Sequence, residues 1–236
     1  MFLWSPSYMV YMLPAFLLVM LAQLWVKSTY RKWSQVRNSN NITGAEAARR
    51  LLDYGNLLQV TLEGARGRLS DHYDPRSQTP RLSPAVAQEQ SVASLAIAAH
   101  EIGHALQDRD DYFPLRFRAA IVPAANIGSN LGWILILIGL FIRSAFGTQL
   151  AWIGVMAFAI GAVFSLATLP VELNASARAQ ALLTQSGLIQ TIEDRRGVKA
   201  VLNAAAFTYV AALAAALLQL LYYISLVGGI SGRRRR

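Results

Sequence analysis

The sequence HEIGH at residues 100–104 places two histidines, His100 and His104, four positions apart, with Glu101 between them. On an α-helix, positions i and i+4 lie on one face, so both imidazoles can point at the same metal ion. Apolar residues recur around the motif at helical spacing, which predicts a helix with one buried face. They are Val92, Leu95, Ala96, Ala99, Ile102 and Leu106. Glu101 then lies beside the two candidate ligands, where its carboxylate can accept a proton from water.

The sequence before HEIGH predicts the elements that lead into this helix. Pro84 suits a first helical turn, so we predict one continuous helix from Pro84 through HEIGH to Asp111. Residues 79–83, TPRLS, predict a short edge strand, since Pro80 cannot donate a hydrogen bond to a neighbouring strand. Residues 57–70 alternate loosely and contain two glycines, which favours short strands around a turn.

A further helix is predicted near residue 43. Thr43 is followed three positions later by Glu46, which is the pattern of a capping box at a helix N-terminus. The sequence AEAARRLLDY then continues to Gly55, a residue that commonly follows a helix.

The composition is that of a membrane protein. Of the 236 residues, 54% are hydrophobic and only 15% are charged. Cysteine is absent, which excludes disulfides, thiolate zinc sites and cysteine nucleophiles. A metal site must therefore use carboxylates and the three histidines, which are His72, His100 and His104. The formal charge of +9 suits anionic lipid headgroups, and no interleaving of aromatic and basic residues indicates nucleic-acid binding.

Four uncharged apolar segments are each long enough to cross a bilayer, which takes about 20 residues. The predicted spans are residues 1–26, 119–142, 144–171 and 200–232, and a basic tail follows at residues 233–236. Two polar blocks, residues 27–118 and 172–199, separate the spans. If the second and third spans form a hairpin, both blocks emerge on the same side of the membrane and can build one catalytic domain.

A catalytic zinc site commonly has three protein ligands, and HEIGH supplies two of them. His72 and several carboxylates are candidates for the third. Glu172 is the best placed, because it follows the third apolar segment directly and begins a predicted helix after Pro170. It would then lie on the same side of the membrane as HEIGH.

Three stretches carry a resemblance to a known family. They are HEIGHALQ from residue 100, the pattern E-x-x-A-S at residues 172–176, and DHYDPRSQTPRLS at residues 71–83. Together they resemble the YugP-type membrane zinc metallopeptidases and, more distantly, the HtpX-type membrane proteases, whose second motif is E-x-x-A-D. The resemblance implies a Zn²⁺ site of gluzincin type with His100, His104 and Glu172 as ligands and Glu101 as general base. Ser176 occupies the position of the HtpX-type aspartate.

We therefore predict a mainly α, multi-pass membrane protein with about four membrane helices and a small juxtamembrane, zincin-like α+β catalytic domain. The predicted activity is hydrolysis of peptide bonds in membrane or membrane-adjacent proteins. His72 is the first choice to stabilise the oxyanion, ahead of Tyr73 and Arg178. The strand at residues 79–83 could pair with an extended peptide substrate. The alternatives are a catalytically idle, metal-binding scaffold or chaperone and a hydrolase of non-peptide amides.

The predicted location is the cell membrane, with the catalytic domain on the cytoplasmic face. Basic residues concentrate in the two polar blocks, and the positive-inside rule places such blocks in the cytoplasm. The basic tail opposes this orientation, because four crossings would place it on the outer side.

Overall fold

The computed structural model describes residues 6–67, 69–142 and 144–233 of the chain. Within them the fold is mainly helical, with one small sheet. The helices are α1 (Pro6–Ser34), α2 (Gly44–Tyr54), α3 (Pro84–Gln88), α4 (Val92–Arg109), α5 (Phe113–Phe141), α6 (Ala145–Gln185) and α7 (Ile192–Arg233). The strands are β1 (Glu63–Gly64), β2 (His72–Asp74) and β3 (Thr79–Leu82).

Four of these helices, α1, α5, α6 and α7, are long and apolar enough to cross a membrane. Their number agrees with the predicted four spans, but each helix continues beyond its apolar segment into polar sequence. The clearest case is α6, which runs through Pro170 and Glu172 as one helix. Of the basic tail, Arg233 ends α7, and residues 234–236 lie outside the described residues, as do residues 1–5 of the first predicted span.

The chain divides into two compact units. The first unit holds the described residues up to Leu21, the segment Phe117–Leu169 and the described residues from Tyr209 onward. The second unit holds Ala22–Arg116 and Pro170–Thr208. HEIGH and Glu172 both belong to the second unit.

Close helix contacts hold the first unit together. A methyl group added at Gly132 of α5 would lie only 2.7 Å from the carbonyl oxygen of Gly154 in α6, so the two glycines let these helices approach closely. The aromatic rings of Tyr8 and Tyr222 meet edge to face with centroids 5.3 Å apart, which joins α1 to α7.

In the second unit, α2 begins and ends where the sequence predicts. The Thr43 hydroxyl accepts a hydrogen bond from the Glu46 backbone N–H at 3.2 Å, and the Glu46 carboxylate accepts from the Thr43 N–H at 2.8 Å. This reciprocal pair confirms the capping box. Gly55 follows the last helical residue, and its N–H caps the carbonyl of Leu51.

The predicted continuous helix from Pro84 is wrong, because the chain forms two helices, α3 and α4, with a break at residues 89–91. Ser91 starts the second helix: its hydroxyl accepts a hydrogen bond from the Ser94 N–H at 3.0 Å. Ser91 also forms a β-bridge with Arg37, far away in the sequence. This long-range pairing holds the backbone extended where a helix would otherwise continue.

The sheet has the strand order β1-β3-β2, so the strand predicted at the edge lies in the centre. Pro80 is tolerated there because it and its partner Tyr73 form a non-hydrogen-bonded pair of the antiparallel ladder, a position at which a backbone N–H points away from the partner strand. Its missing N–H would point toward β1, and the pairing with β1 begins only at Arg81. The strands predicted over residues 57–70 shrink to Glu63–Gly64 among the described residues.

Candidate metal centre and active site

The structure brings together three side chains that can hold a metal ion: His100 and His104 of α4 and Glu172 of α6. One ligand atom from each lies within 4.8 Å of the others. The Nε2 atoms of His100 and His104 lie 3.2 and 3.5 Å from the same carboxylate oxygen of Glu172. His104 and Glu172 are buried, and His100 is slightly more exposed. The two imidazoles therefore face one carboxylate across a small, largely buried space.

Gly103, inside the HEIGH motif, allows α4 and α6 to approach this closely. A methyl group added at Gly103 would overlap the backbone carbonyl of Ala175 on α6. Only glycine lets the two backbones meet at this point, one residue from His104 and three from Glu172.

The donor set fits zinc. Two imidazole nitrogens and one carboxylate oxygen are a common ligand set of catalytic zinc sites, which keep a fourth position open. The absence of cysteine rules out a closed thiolate site. His100, His104 and Glu172 would hold the ion, with both histidines binding through Nε2.

Glu101 is buried beside these groups, with 6% of its surface exposed. Burial, together with the charges of Glu172 and Asp71, raises the pKa of its carboxyl group, and His100 and the backbone N–H of Tyr73 lower it; the net result is a pKa of about 7. A carboxylate with a pKa near neutrality is suited to take up and release a proton.

The strand β2 lies beside Glu101. In the β2–β3 ladder, Tyr73 belongs to the non-hydrogen-bonded pair, so its backbone N–H and C=O point away from β3. The Tyr73 N–H interacts instead with the Glu101 carboxylate. The Tyr73 hydroxyl donates a 2.8 Å hydrogen bond to Asp108 of α4. Burial and the nearby Asp108 carboxylate raise the pKa of the Tyr73 phenol. The strand is thus joined to the helix that carries HEIGH.

The two other predicted oxyanion donors lie in different surroundings. His72 of β2 is exposed, and its Nδ1 atom lies 2.8 Å from the carbonyl oxygen of Ser70. Among the described residues, the group placed to bind a metal ion does not include His72. Arg178 is held by an ion pair with Asp110 and by a 2.8 Å hydrogen bond to Asn174. The role predicted for His72 stays a prediction.

Two further side chains touch the histidines. The sequence gives Gln107 no role, and it marks Ser176 only as the position of the HtpX-type aspartate. Gln107 is fully buried, and its Oε1 atom lies 3.0 Å from Nδ1 of His104. The Ser176 hydroxyl lies 3.3 Å from Nδ1 of His100. The signal that could have identified Gln107 is its spacing, because a residue three positions after His104 shares its helix face.

Comparisons with known proteins agree with this geometry. Residues 8–228 match the family model described as "Putative neutral zinc metallopeptidase". The chain is 42% identical over 203 residues to the protein named "Putative membrane protease YugP" of Bacillus subtilis (strain 168), covering 86% of this chain and 88% of the relative. No solved structure matches the chain. Because the family model covers nearly the whole chain, which also carries a His-His-Glu group placed to bind a metal ion, the chain belongs to this family of neutral zinc metallopeptidases.

Proposed function

We propose that the protein is a membrane-integrated zinc metalloendopeptidase that hydrolyses peptide bonds of membrane or membrane-adjacent proteins. The observation that carries the proposal is the convergence of His100, His104 and Glu172, with Glu101 buried next to them. Membership of a zinc metallopeptidase family supports the same chemistry.

Each residue of the site has a distinct proposed role. His100 and His104 bind the ion through Nε2, and Glu172 binds it through a carboxylate oxygen. When bound, zinc supplies Lewis-acid chemistry, in that it acidifies water and polarises the carbonyl group to be cleaved. Glu101 accepts the proton of the attacking water and passes it to the leaving amine. Burial is the main influence that raises the pKa of Glu101 to about 7, so that both its ionised form, which accepts the proton, and its neutral form, which donates it, are accessible at neutral pH.

We further propose that the substrate binds as an extended strand at the outer edge of β2. The strand β3, which the sequence suggests for this role, lies between β2 and β1 in the sheet, where Arg81 is paired with both neighbours and Leu82 with β1. At the outer edge of β2 the backbone groups of Tyr73 point away from β3, and the N–H interacts with Glu101. A peptide beside β2 would thus carry its scissile bond near the catalytic base. His72, in the same strand, is the proposed donor to the oxyanion.

The proposed arrangement has four membrane spans, at residues 1–26, 119–142, 144–171 and 200–232, with the catalytic domain built from residues 27–118 and 172–199. The basic residues of these two blocks favour the cytoplasmic face of the cell membrane. Substrates would then be loops, termini or juxtamembrane segments of membrane-associated proteins.

The test compares the purified full-length protein with Glu101→Gln. Both are assayed for bound zinc and for cleavage of an unfolded, membrane-tethered substrate. We expect zinc binding in both proteins and loss of cleavage only in the variant, because glutamine cannot accept a proton. Equal cleavage by the two proteins would contradict the role of Glu101.

Two further outcomes separate the alternatives. Zinc binding without any cleavage by the unmodified protein would favour the idle scaffold. Cleavage of small non-peptide amides in preference to the peptide would favour the third alternative. For the ligand set, Glu172→Ala is expected to lower zinc affinity strongly, and unaltered affinity would exclude Glu172 as the third ligand.

A further inference from the structure

The two ring nitrogens of His104 face different partners. Nε2 lies 3.5 Å from the Glu172 carboxylate, on the metal-binding side, and Nδ1 lies 3.0 Å from Oε1 of Gln107. A neutral imidazole carries its proton on one nitrogen, and only the other can bind a metal ion. Whether the Gln107 side chain presents an acceptor or a donor to Nδ1 therefore decides whether Nε2 is free of a proton and can bind a metal ion.

A hydrogen bond to the backbone fixes the orientation of the Gln107 amide. Its Nε2 atom donates to the carbonyl oxygen of Val171 at 2.8 Å. A backbone carbonyl has no proton to donate, so only the NH₂ group of Gln107 can face Val171. The amide oxygen then faces His104 and can only accept, which requires the proton of His104 to be on Nδ1.

A second contact fixes the same orientation independently. The Gln107 NH₂ group also donates to Oδ1 of Asn174 at 2.9 Å, and Nε of Arg178 donates to that oxygen at 2.8 Å. Arginine can only donate hydrogen bonds, so Asn174 must present its oxygen. Arg178 is held in turn by its ion pair with Asp110. The direction of every hydrogen bond from Arg178 to His104 is thus determined.

We propose that Gln107 is a positioning residue that holds His104 in the tautomer protonated on Nδ1, which leaves the lone pair of Nε2 directed at Glu172 and the metal ion. Arg178 and Asn174 hold the Gln107 amide in the orientation this requires. The proposal rests on the ligand set proposed above. It also gives Arg178 a role outside the oxyanion site.

A buried glutamine is costly unless it is fully hydrogen-bonded, and leucine would fill a similar volume. Here the amide oxygen of Gln107 accepts a hydrogen bond from His104, a proposed zinc ligand. Histidine ligands usually donate their second N–H to a carboxylate, a carbonyl or water, and losing that partner weakens metal binding. The neutral amide accepts this proton without adding a third negative charge beside Glu101 and Glu172.

The first measurement needs no substitution. The chain has three histidines, so ¹⁵N-histidine labelling of the full-length protein in detergent yields three imidazole signal sets, assigned by single histidine substitutions. The zinc-free protein is examined at alkaline pH, where imidazoles are neutral. We expect His104 to carry its proton on Nδ1, and a proton on Nε2 would overturn the proposal.

The second measurement compares Gln107→Met with Gln107→Glu. The methionine variant lacks an acceptor for Nδ1–H, so we expect a mixture of His104 tautomers and a loss of zinc affinity of about 10- to 100-fold. The glutamate variant keeps an acceptor for Nδ1–H but loses the NH₂ group that donates to Val171 and Asn174. We expect it to keep the tautomer and to bind zinc more tightly than Gln107→Met. Gln180→Met on α6 is the control, because Gln180 is a partly buried glutamine whose side chain bonds to the Ser176 carbonyl rather than to a histidine.

The outcomes separate this proposal from the ligand assignment. A folded Gln107→Met protein with unaltered tautomer and zinc affinity would contradict the role of Gln107. If the variant does not fold, the tautomer of the unmodified protein still decides. Unaltered zinc binding in His104→Ala would contradict the ligand set instead, whatever the tautomer of His104.

Discussion

Gly103 of α4 lies directly against the backbone carbonyl of Ala175 of α6. This contact sets the separation of the two helices between the proposed ligands His104 and Glu172. The metal site therefore depends on how closely two backbones approach as well as on the three ligating side chains.

The substitution Gly103→Ala tests this dependence. Its methyl group would overlap the Ala175 carbonyl, so the helices must move apart. Overpacking of this kind costs about 1–3 kcal/mol. We expect a lower unfolding temperature and a loss of zinc affinity of about tenfold or more, measured by competition with a chelator. Gly64→Ala is the matched control, because nothing lies within 4 Å of the position its methyl group would occupy. Equal zinc affinities in the two variants would show that helix separation does not limit the site.

Features that depend on local sequence could be predicted, and features that depend on distant partners could not. The capping box of Thr43 and Glu46 involves residues three apart, and it forms as expected. The contacts of Gln107 with Val171 and Asn174 span 64 and 67 residues, so no local pattern reveals them.

The same distinction explains the errors in the predicted elements. The helix break before α4 depends on the pairing of Ser91 with Arg37. The central position of β3 depends on β1, whose two residues carry almost no strand pattern. The sequence predicts the proximity of Glu172 to HEIGH only through an assumed membrane hairpin and a family resemblance.

His72 is expected to act in catalysis without affecting metal binding. Its Nδ1 lies 2.8 Å from the Ser70 carbonyl, which can only accept, so Nδ1 carries a proton. Nε2 can then donate to an oxyanion only when the ring is an imidazolium. We expect His72→Phe to lower kcat about 100-fold at unchanged zinc content, since phenylalanine has no hydrogen-bond donor and loss of one oxyanion donor has an effect of this size. An unchanged kcat in the folded His72→Phe protein, at the zinc content of the unmodified protein, would exclude a role for His72 in stabilising the oxyanion.

The ion pair of Asp74 and Arg81 should make the sheet sensitive to acid. A 2.8 Å hydrogen bond from Arg81 is the largest of the interactions that lower the pKa of the Asp74 carboxyl to about 2, and the Arg76 N–H and the Ser77 hydroxyl also contribute. A lowered pKa in the folded state gives stability that is present above the unfolded value of about 4 and is lost as pH falls toward 2. We expect Asp74→Asn to destabilise the protein by about 0.5 kcal/mol at pH 6, as is usual for partly exposed pairs.

The comparison of unfolding temperatures at two pH values isolates this effect. The difference between Asp74→Asn and the unmodified protein should shrink as pH falls from about 4 through 2, because Asp74 becomes protonated over this range. Asp53→Asn, on α2, controls for loss of an exposed carboxylate. A difference that persists at low pH would mean that the substitution acts by another route than charge.

Removal of zinc should lower stability, because an ion that binds only the folded protein stabilises it by RT ln(1 + [L]/Kd). At a free zinc concentration about 100 times Kd, this amounts to about 2.7 kcal/mol. We expect a chelator to lower the unfolding temperature of the full-length protein and added zinc to restore it. Glu172→Ala should respond weakly to the chelator and to added zinc, since it lacks a proposed ligand. Glu101→Gln should respond like the unmodified protein, because Glu101 is not a proposed ligand. A full response in Glu172→Ala would mean that zinc stabilises the fold from a site other than the one formed by α4 and α6.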